Sequence, residues 1–162
     1  MSDSTFDLSG RLAVITGASS GIGAAMAGFL AEAGADVAIV ARRADALERT
    51  ADTCRSHGVV AHAVVGDVGS PEAAQAVAGE VRAYAGDPHI VVNAAGVNLR
   101  QPVDEVTPES WRQTLDLNLA APFFFAREFV PVMRAHGFGR VINIASLQSD
   151  RAFPNGLPYG AS

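Results

Sequence analysis

Cysteine is almost absent: the 162-residue sequence has one, Cys54, which cannot close an internal disulfide and fits a reducing compartment. Basic residues are few. Twelve Lys and Arg against 17 Asp and Glu leave a net charge of −5, and only Arg42 and Arg43 are adjacent, so no basic patch awaits nucleic acid. No apolar run approaches the roughly 18 residues of a membrane span. The opening Met1-Ser2-Asp3-Ser4-Thr5 has neither a basic n-region nor an apolar h-region, so no secretory signal is expected and a soluble cytoplasmic protein is the default reading. His57, His62, His89 and His136 fall on separate predicted elements without metal-ligand spacing, so no metal site is predicted. Internal repeats, linkers and low-complexity tracts are missing too. Hydrophobic residues at 49% and charged residues at 18% fit a globular chain long enough for one core.

What is present is an alternation. Short β-branched runs are separated by longer Ala-rich stretches of helical period, the pattern of βαβ units around a parallel sheet. The runs predict strands over 12–16, 37–41, 60–65, 90–92 and 140–145. Helices are predicted over about 21–33 and 44–56, stopping at Gly34 and Gly58, and a third opens at Ser70-Pro71, a cap residue before Pro at the first helical position. A long helical region covers about 108–135. The strands are apolar throughout rather than alternating, so helices should cover both sheet faces. The expected fold is α/β, a doubly wound parallel sheet of Rossmann type.

Thr16-Gly17-Ala18-Ser19-Ser20-Gly21-Ile22-Gly23 lies directly between the first strand and its helix. Gly17 would allow a sharp turn, Gly21 would let backbone approach a pyrophosphate, and Gly23 would let the helix pack close to the sheet. The helix N-terminus would then offer free N–H donors to phosphates. An ordinary glycine-containing turn is the plain alternative, but the strand–turn–helix context weighs against it. No Lys follows the last Gly, so this is not a P-loop. About 20 residues on, at the end of the second strand, NAD enzymes usually carry an acid for the ribose 2′-hydroxyl. Here stand Arg42 and Arg43. A guanidinium suits a 2′-phosphate, which favours NADP, with NAD as the alternative and solvated loop arginines as the plain reading.

The motifs TGASSGIG at 16–23, Asp67-Val68, Asn93-Ala94-Ala95-Gly96, Asn118 in LDLNLA, and Ser146 followed 159 − 146 = 13 residues later by Tyr159 together resemble the short-chain dehydrogenase/reductase family, from Leu8 onward. The resemblance implies an NAD(P)-dependent oxidoreductase interconverting a secondary alcohol and a ketone. It implies cofactor contacts from Gly17, Ser19, Ser20, Gly21, Ile22, Gly23, Asp67, Val68 and the 93–96 segment, with Asp67 at the adenine and Asn93 supporting the sheet. It makes Ser146 the hydrogen-bond donor to substrate oxygen, Tyr159 the general acid/base that also touches the cofactor, and Asn118 the holder of a relay water in a bent helix. Ala94 departs from the family's more usual second Asn. Taken alone, Ser146 reads equally as a capping serine and Tyr159 as a packing aromatic; their spacing argues for the pair. Asn98-Leu99-Arg100 and Ser146-Leu147-Gln148-Ser149 are similar to the gluconate 5-dehydrogenase branch, implying a sugar-acid substrate. Arg100, Gln148 and Arg151 lie in segments where substrate contacts could arise; Arg100 could pair with a substrate carboxylate, with a solvated arginine as the stronger plain reading.

The family places a lysine four residues after the tyrosine, one helical turn away. A free phenol has a pKa of about 10, and a lysine lowering it by roughly 3 units supplies on the order of 4 kcal/mol to the phenolate. That position falls after Ser162, so residues 1–162 are expected to turn over feebly and to form a single, incomplete dinucleotide-binding domain. The family's sheet order, 3-2-1-4-5-6-7, predicts strand five as a bare edge with Val141, Ile142 and Ile144 exposed. The long helix, apolar nearly all round at Phe123, Phe124, Phe125, Phe129, Val132 and Met133, is expected to bury more than one side. The family's members are homodimers or homotetramers. Two other classes compete: a non-catalytic dinucleotide-binding module, and a methyltransferase, whose usual acid after strand two is Arg42 here. Cys54 and Trp111 read as packing residues and Asp104-Glu105 as a solvated pair before a helix.

Overall fold

The computed structural model describes residues 6–162, so the expectation drawn from Met1–Thr5 lies outside the described residues. Leu12–Thr16 (β1), Asp36–Ala41 (β2), Ala61–Val65 (β3), Ile90–Asn93 (β4) and Arg140–Asn143 (β5) form one parallel sheet in the order β3-β2-β1-β4-β5. Its alternate residues face opposite ways. Val14, Ala38, Val40 and Val91 point to one side and pack with Val77, Val81, Phe125 and Phe129; Ala13, Ile15, Val37, Ile39 and Val92 point to the other and pack with Ala27, Ala31, Leu47 and Cys54. Helices Gly21–Glu32 (α1) and Ala44–Arg55 (α2) therefore cover one face, and Pro71–Ala85 (α3) and Ala121–Ala135 (α5) the other. That doubly wound arrangement is why every residue of β1 and β4 is buried.

Local chemistry explains where the helices begin. The Ser70 hydroxyl accepts from the Ala73 N–H at 3.2 Å, with Pro71 opening α3. Helix α4 (Pro108–Leu115) starts on a capping box in which Thr107 and Ser110 exchange backbone and hydroxyl hydrogen bonds at 3.0 and 3.2 Å.

The region 108–135 is helical throughout, and the bend at Asn118 takes the form of a π-helical turn, Asp116–Ala120, between α4 and α5, closed by the Ala121 N–H on the Asp116 carbonyl. Other expectations change. Strand β5 ends at Asn143 rather than residue 145. Val141 and Ile142 are exposed at the sheet edge as expected, but Ile144 is not, because its side chain turns onto the core beside Ala94 while its N–H reaches the Asn93 carbonyl. Helix α5 buries Phe125, Phe129 and Met133, which leaves Phe123 63% exposed on its other side. A short helix, Leu157–Ala161 (α6), carries Tyr159. Among the described residues, no helix is long and apolar enough to cross a membrane.

Candidate active site

Three polar residues end three neighbouring strands in register: Thr16 of β1 beside Asn93 of β4, and Asn93 beside Asn143 of β5. The Thr16 hydroxyl accepts from the N–H groups of Ala94 and Ala95 at 3.2 and 3.3 Å. Asn93, 5% exposed, donates through Nδ2 to the Asn143 Oδ1 at 2.9 Å and to the Pro122 carbonyl at 3.3 Å. The Asn93 side chain thus ties β4 to β5 and to the start of α5, the sheet-supporting place the sequence reading gave it. Thr16 and Asn143 escaped that reading; the available signal was a polar residue closing an otherwise apolar strand.

Above this floor, Gly17 adopts φ +69°, and a Cβ there would lie 2.7 Å from the Ala94 carbonyl oxygen and the Ala95 nitrogen. A Cβ on Gly23 would lie 2.5 Å from the Gly17 carbonyl oxygen. Gly21 also has positive φ, +58°, yet its Cβ would enter open space. The turn is therefore packed tight on two sides and open on a third. Ser20 precedes α1 without capping it by its side chain. Its hydroxyl and that of Ser19 instead accept from Arg43 Nη2 at 2.9 and 3.1 Å. Arg42 lies 4.0 Å from the Asp67 carboxylate, with both side chains well exposed, a pair that adds little stability. Arg42, Arg43, Asp67, Gly17, Ser19, Ser20 and the Ala94–Gly96 backbone line a cavity of about 360 Å³. Val68 borders it too, but its side chain belongs to the core.

Ser20, Ala94, Ala95 and Gly96 are shared with an adjoining cleft of about 950 Å³, which Ile22, Gly23, Asn93, Asn118, Ser146 and Tyr159 also line. Asn118 sits in the π-helical turn. Its carboxamide accepts from the Val97 N–H at 2.8 Å and donates to the Val97 carbonyl at 2.9 Å and to the Ser162 hydroxyl at 3.1 Å. Ser146 does cap a turn: its hydroxyl accepts from the Gln148 N–H at 3.2 Å, opening a short 3₁₀ helix over Leu147–Ser149, while also facing the cleft. Ser146 and Tyr159 border a third space of about 570 Å³ with Asn98, Arg100 and Asn155. Arg100 (φ +50°) and Asn155 (φ +60°) are the only non-glycine residues of positive φ among those described, and both line it. Backbone held in that region concentrates at functional sites.

The structure thus brings every residue predicted to hold cofactor or transfer the proton to adjoining cavities along the C-terminal ends of the strands; Gly21 lines none itself but sits between two residues that do, and the exposed Arg151 lies outside them. The residues read as packing or solvated stay outside it. Cys54 is fully buried and burial pushes its thiol pKa up, against the opposing charge of Arg55. Trp111 is half-buried on α4, and Asp104 and Glu105 are exposed. The histidines are less scattered than expected, since the rings of His89 and His136 stand 6.1 Å apart at the opposite end of the sheet.

This arrangement has relatives. Gluconate 5-dehydrogenase of Gluconobacter oxydans is 34% identical over 157 residues, which cover 97% of this chain and 61% of that protein. L-Sorbose reductase of Gluconobacter frateurii, solved with NADPH and L-sorbose, superposes with a TM-score of 0.91 at 37% identity, over 96% of this chain and 60% of that one. A gluconate 5-dehydrogenase from Burkholderia cenocepacia, solved with NADP and tartrate, gives 0.86 at 38%, over 96% and 61%. Gluconate 5-dehydrogenases thus recur among curated relatives and solved structures alike, in line with the branch that residues 98–100 and 146–149 resemble. The chain spans about three-fifths of the length of these relatives. Residues 11–162 match the short chain dehydrogenase family, and the chain belongs to it.

Proposed function

We propose that these residues form the cofactor-binding and proton-transfer part of an NADP-dependent oxidoreductase that interconverts a secondary alcohol and a ketone. One observation carries the reading: the cavity of the glycine turn and Arg42-Arg43 shares Ser20, Ala94, Ala95 and Gly96 with the cleft that Ser146 and Tyr159 line, although these residues come from three separate loops and helix α6. The turn fits a dinucleotide. Gly21 leaves open the space that a side chain would fill, and the uncapped start of α1 directs N–H groups at it. Ser19, Ser20, Ile22 and Gly23 would border the phosphates, Asp67 and Val68 the adenine, and Asn93, Ala94, Ala95 and Gly96 the remaining length. Arg42 and Arg43 would take the 2′-phosphate, Arg43 by exchanging its serine partners for phosphate oxygens.

When bound, the cofactor supplies or accepts the hydride. The chain's own part is the proton. Ser146 would donate a hydrogen bond to the substrate oxygen, and Tyr159, which would also border the nicotinamide, would give that oxygen its proton in reduction and remove it in oxidation. Asn118 fixes the 97–98 segment against α6, and the distorted backbone of its π turn would hold the relay water. Arg100 beside the 570 Å³ space supports an anionic substrate such as a sugar acid.

All 12 basic residues of the sequence are arginines, so residues 1–162 hold no lysine to place beside the Tyr159 hydroxyl. A polypeptide of these residues is expected to bind cofactor and turn over slowly. The buried free thiol of Cys54 supports a reducing cytoplasm, and the exposed side of α5 supports assembly as a homodimer or homotetramer. Fluorescence titration tests the cofactor assignment. NADPH should bind at least about tenfold more tightly than NADH, and Arg42→Ala and Arg43→Ala should each weaken NADPH about 10- to 100-fold, as loss of a charge-assisted bond does, without touching NADH. Tighter binding of NADH by the unmodified chain would overturn it.

A further inference from the structure

Gln148 makes two contacts that no other residue of the site combines. Its backbone N–H donates to the Ser146 hydroxyl at 3.2 Å, and its side-chain Nε2 donates to the Gly156 carbonyl at 3.0 Å. That carbonyl also accepts the Gly160 N–H at 2.8 Å, the bond that closes the first turn of α6. Tyr159 lies within the turn so closed. The carboxamide is pressed against the helix start: a Cβ on Gly156 would fall 2.3 Å from Nε2, and one on Gly160 would fall 3.3 Å from it. Only the nitrogen of a carboxamide can donate to a carbonyl, so the orientation of the group is dictated by its partner.

We infer that Gln148 is a positioning residue that holds the Ser146 and Tyr159 hydroxyls in one frame, the backbone fixing the first and the side chain fixing the second through Gly156. The inference rests on the proposed proton-transfer role of those two hydroxyls. Residues 148 and 156 lie eight residues apart in the one connection between β5 and α6, Gln148 in its 3₁₀ turn and Gly156 at the start of α6, and that helix has five residues, too few to stay formed without outside support. The Gln148 side chain supplies that support. It also borders both the 950 and 570 Å³ spaces, so the same contact sets the wall between them. Glycine at 156 leaves room for the carboxamide rather than serving the backbone, since its φ of −119° is open to any residue.

The test is a double-mutant cycle between Gln148→Met, which keeps the length but not the donor, and Gly156→Ala, which displaces the carboxamide while leaving its chemistry intact. In the full 162-residue chain each single change should lower hydrogen-exchange protection of the Gly160 amide about tenfold, with the urea midpoint and β1 protection unchanged, and the double variant should be no worse than either. Gln148→Glu should lose protection at neutral pH, where a carboxylate cannot donate, and regain it as the pH falls towards about 4, where the acid can. In single-turnover hydride transfer the same variants should slow the step about 10- to 100-fold at unchanged NADPH affinity, with Gln148→Glu showing an acid-side recovery absent from the unmodified chain. Unchanged Gly160 protection in Gln148→Met, or singles whose effects multiply, overturns the inference. Ser146→Ala and Tyr159→Phe test the underlying reading separately: if both keep the parental hydride-transfer rate, that reading fails even where Gly160 protection behaves as expected.

Discussion

At Gly17 a methyl group would meet backbone atoms of Ala94 and Ala95 at 2.7 Å, while at Gly21, four residues on, it would meet nothing within 4 Å. Both residues hold φ near +60°, which costs an alanine roughly 1–2 kcal/mol. The overlap at Gly17 adds strain that rigid backbone cannot relieve, so Gly17→Ala should destabilise folding by about 2–4 kcal/mol in urea titration. Gly21→Ala should cost only the conformational part, yet abolish tight NADPH binding by filling the space proposed for the phosphates. Equal losses of stability in the two variants would contradict this division. A second residue-scale consequence concerns His89. Its Nδ1 accepts from the Leu12 N–H at 3.1 Å, tying β4 to β1, and burial, then Arg11 and His136, hold its pKa below the ordinary 6.5. The neutral ring is the folded-state form. The unfolded chain therefore takes up protons first as pH falls, so this contribution to stability is complete above 6.5 and is lost as pH drops towards the depressed folded value. The urea midpoint should fall between about pH 7.5 and pH 5.5, and His89→Gln, which keeps an acceptor that does not titrate, should flatten that dependence.

Among the elements, the π-helical turn at Asp116–Ala120 shows both what the sequence discloses and what it conceals. Hydrophobic periodicity carries the strand and helix order from Leu12 to Ala135, because burial on two sheet faces leaves an apolar run wherever a strand must go. One extra backbone residue inside a helix leaves no such trace: DLNLA has neither Gly nor Pro, and only the resemblance pointed to a bend at Asn118. The contacts of Thr16, Asn143 and Gln148 were likewise hidden, since hydrogen bonds between loops depend on the finished fold rather than on local pattern. The glycine turn and the Ser146–Tyr159 spacing were legible because each needs particular residue types at fixed intervals. Asn118 also permits a prediction. Its carboxamide satisfies both polar groups of the Val97 peptide within a half-buried loop. Asn118→Ala should cost about 3 kcal/mol, three neutral hydrogen bonds' worth with the one to Ser162, and should expose the 97–98 amides to exchange before the sheet opens. Simultaneous exposure of those amides and of β1 would show that the clamp has no local role.

Across residues 6–162, helices close the two sheet faces over β1, β2 and β4, but β5 is exposed on both faces and along its outer edge. Beyond β5 no further strand pairs among the described residues, and Val141 and Ile142 stand 43% and 36% exposed there. Next to them, on the π turn and α5, Leu119 and Phe123 are 55% and 63% exposed. An unpaired β-edge beside large apolar side chains is a template for pairing with another chain. The opposite edge, β3, differs in kind: Val65 is 52% exposed, but Arg55 of α2 donates from its guanidinium to the Ala61 carbonyl at 2.9 Å and covers the start of that strand with charge. Association should therefore run through the β5 side. A polypeptide of residues 1–162 should sediment with a mass that rises with concentration, and the paired changes Phe123→Lys and Ile142→Lys should return it to a monomer while leaving the unfolding free energy from urea titration within about 0.5 kcal/mol per change, as exposed substitutions do. Association that persists in the Lys pair would move the interface elsewhere on the surface. A wild-type chain that stays monomeric across the whole concentration range would mean that this edge, open as it is, does not recruit a second copy.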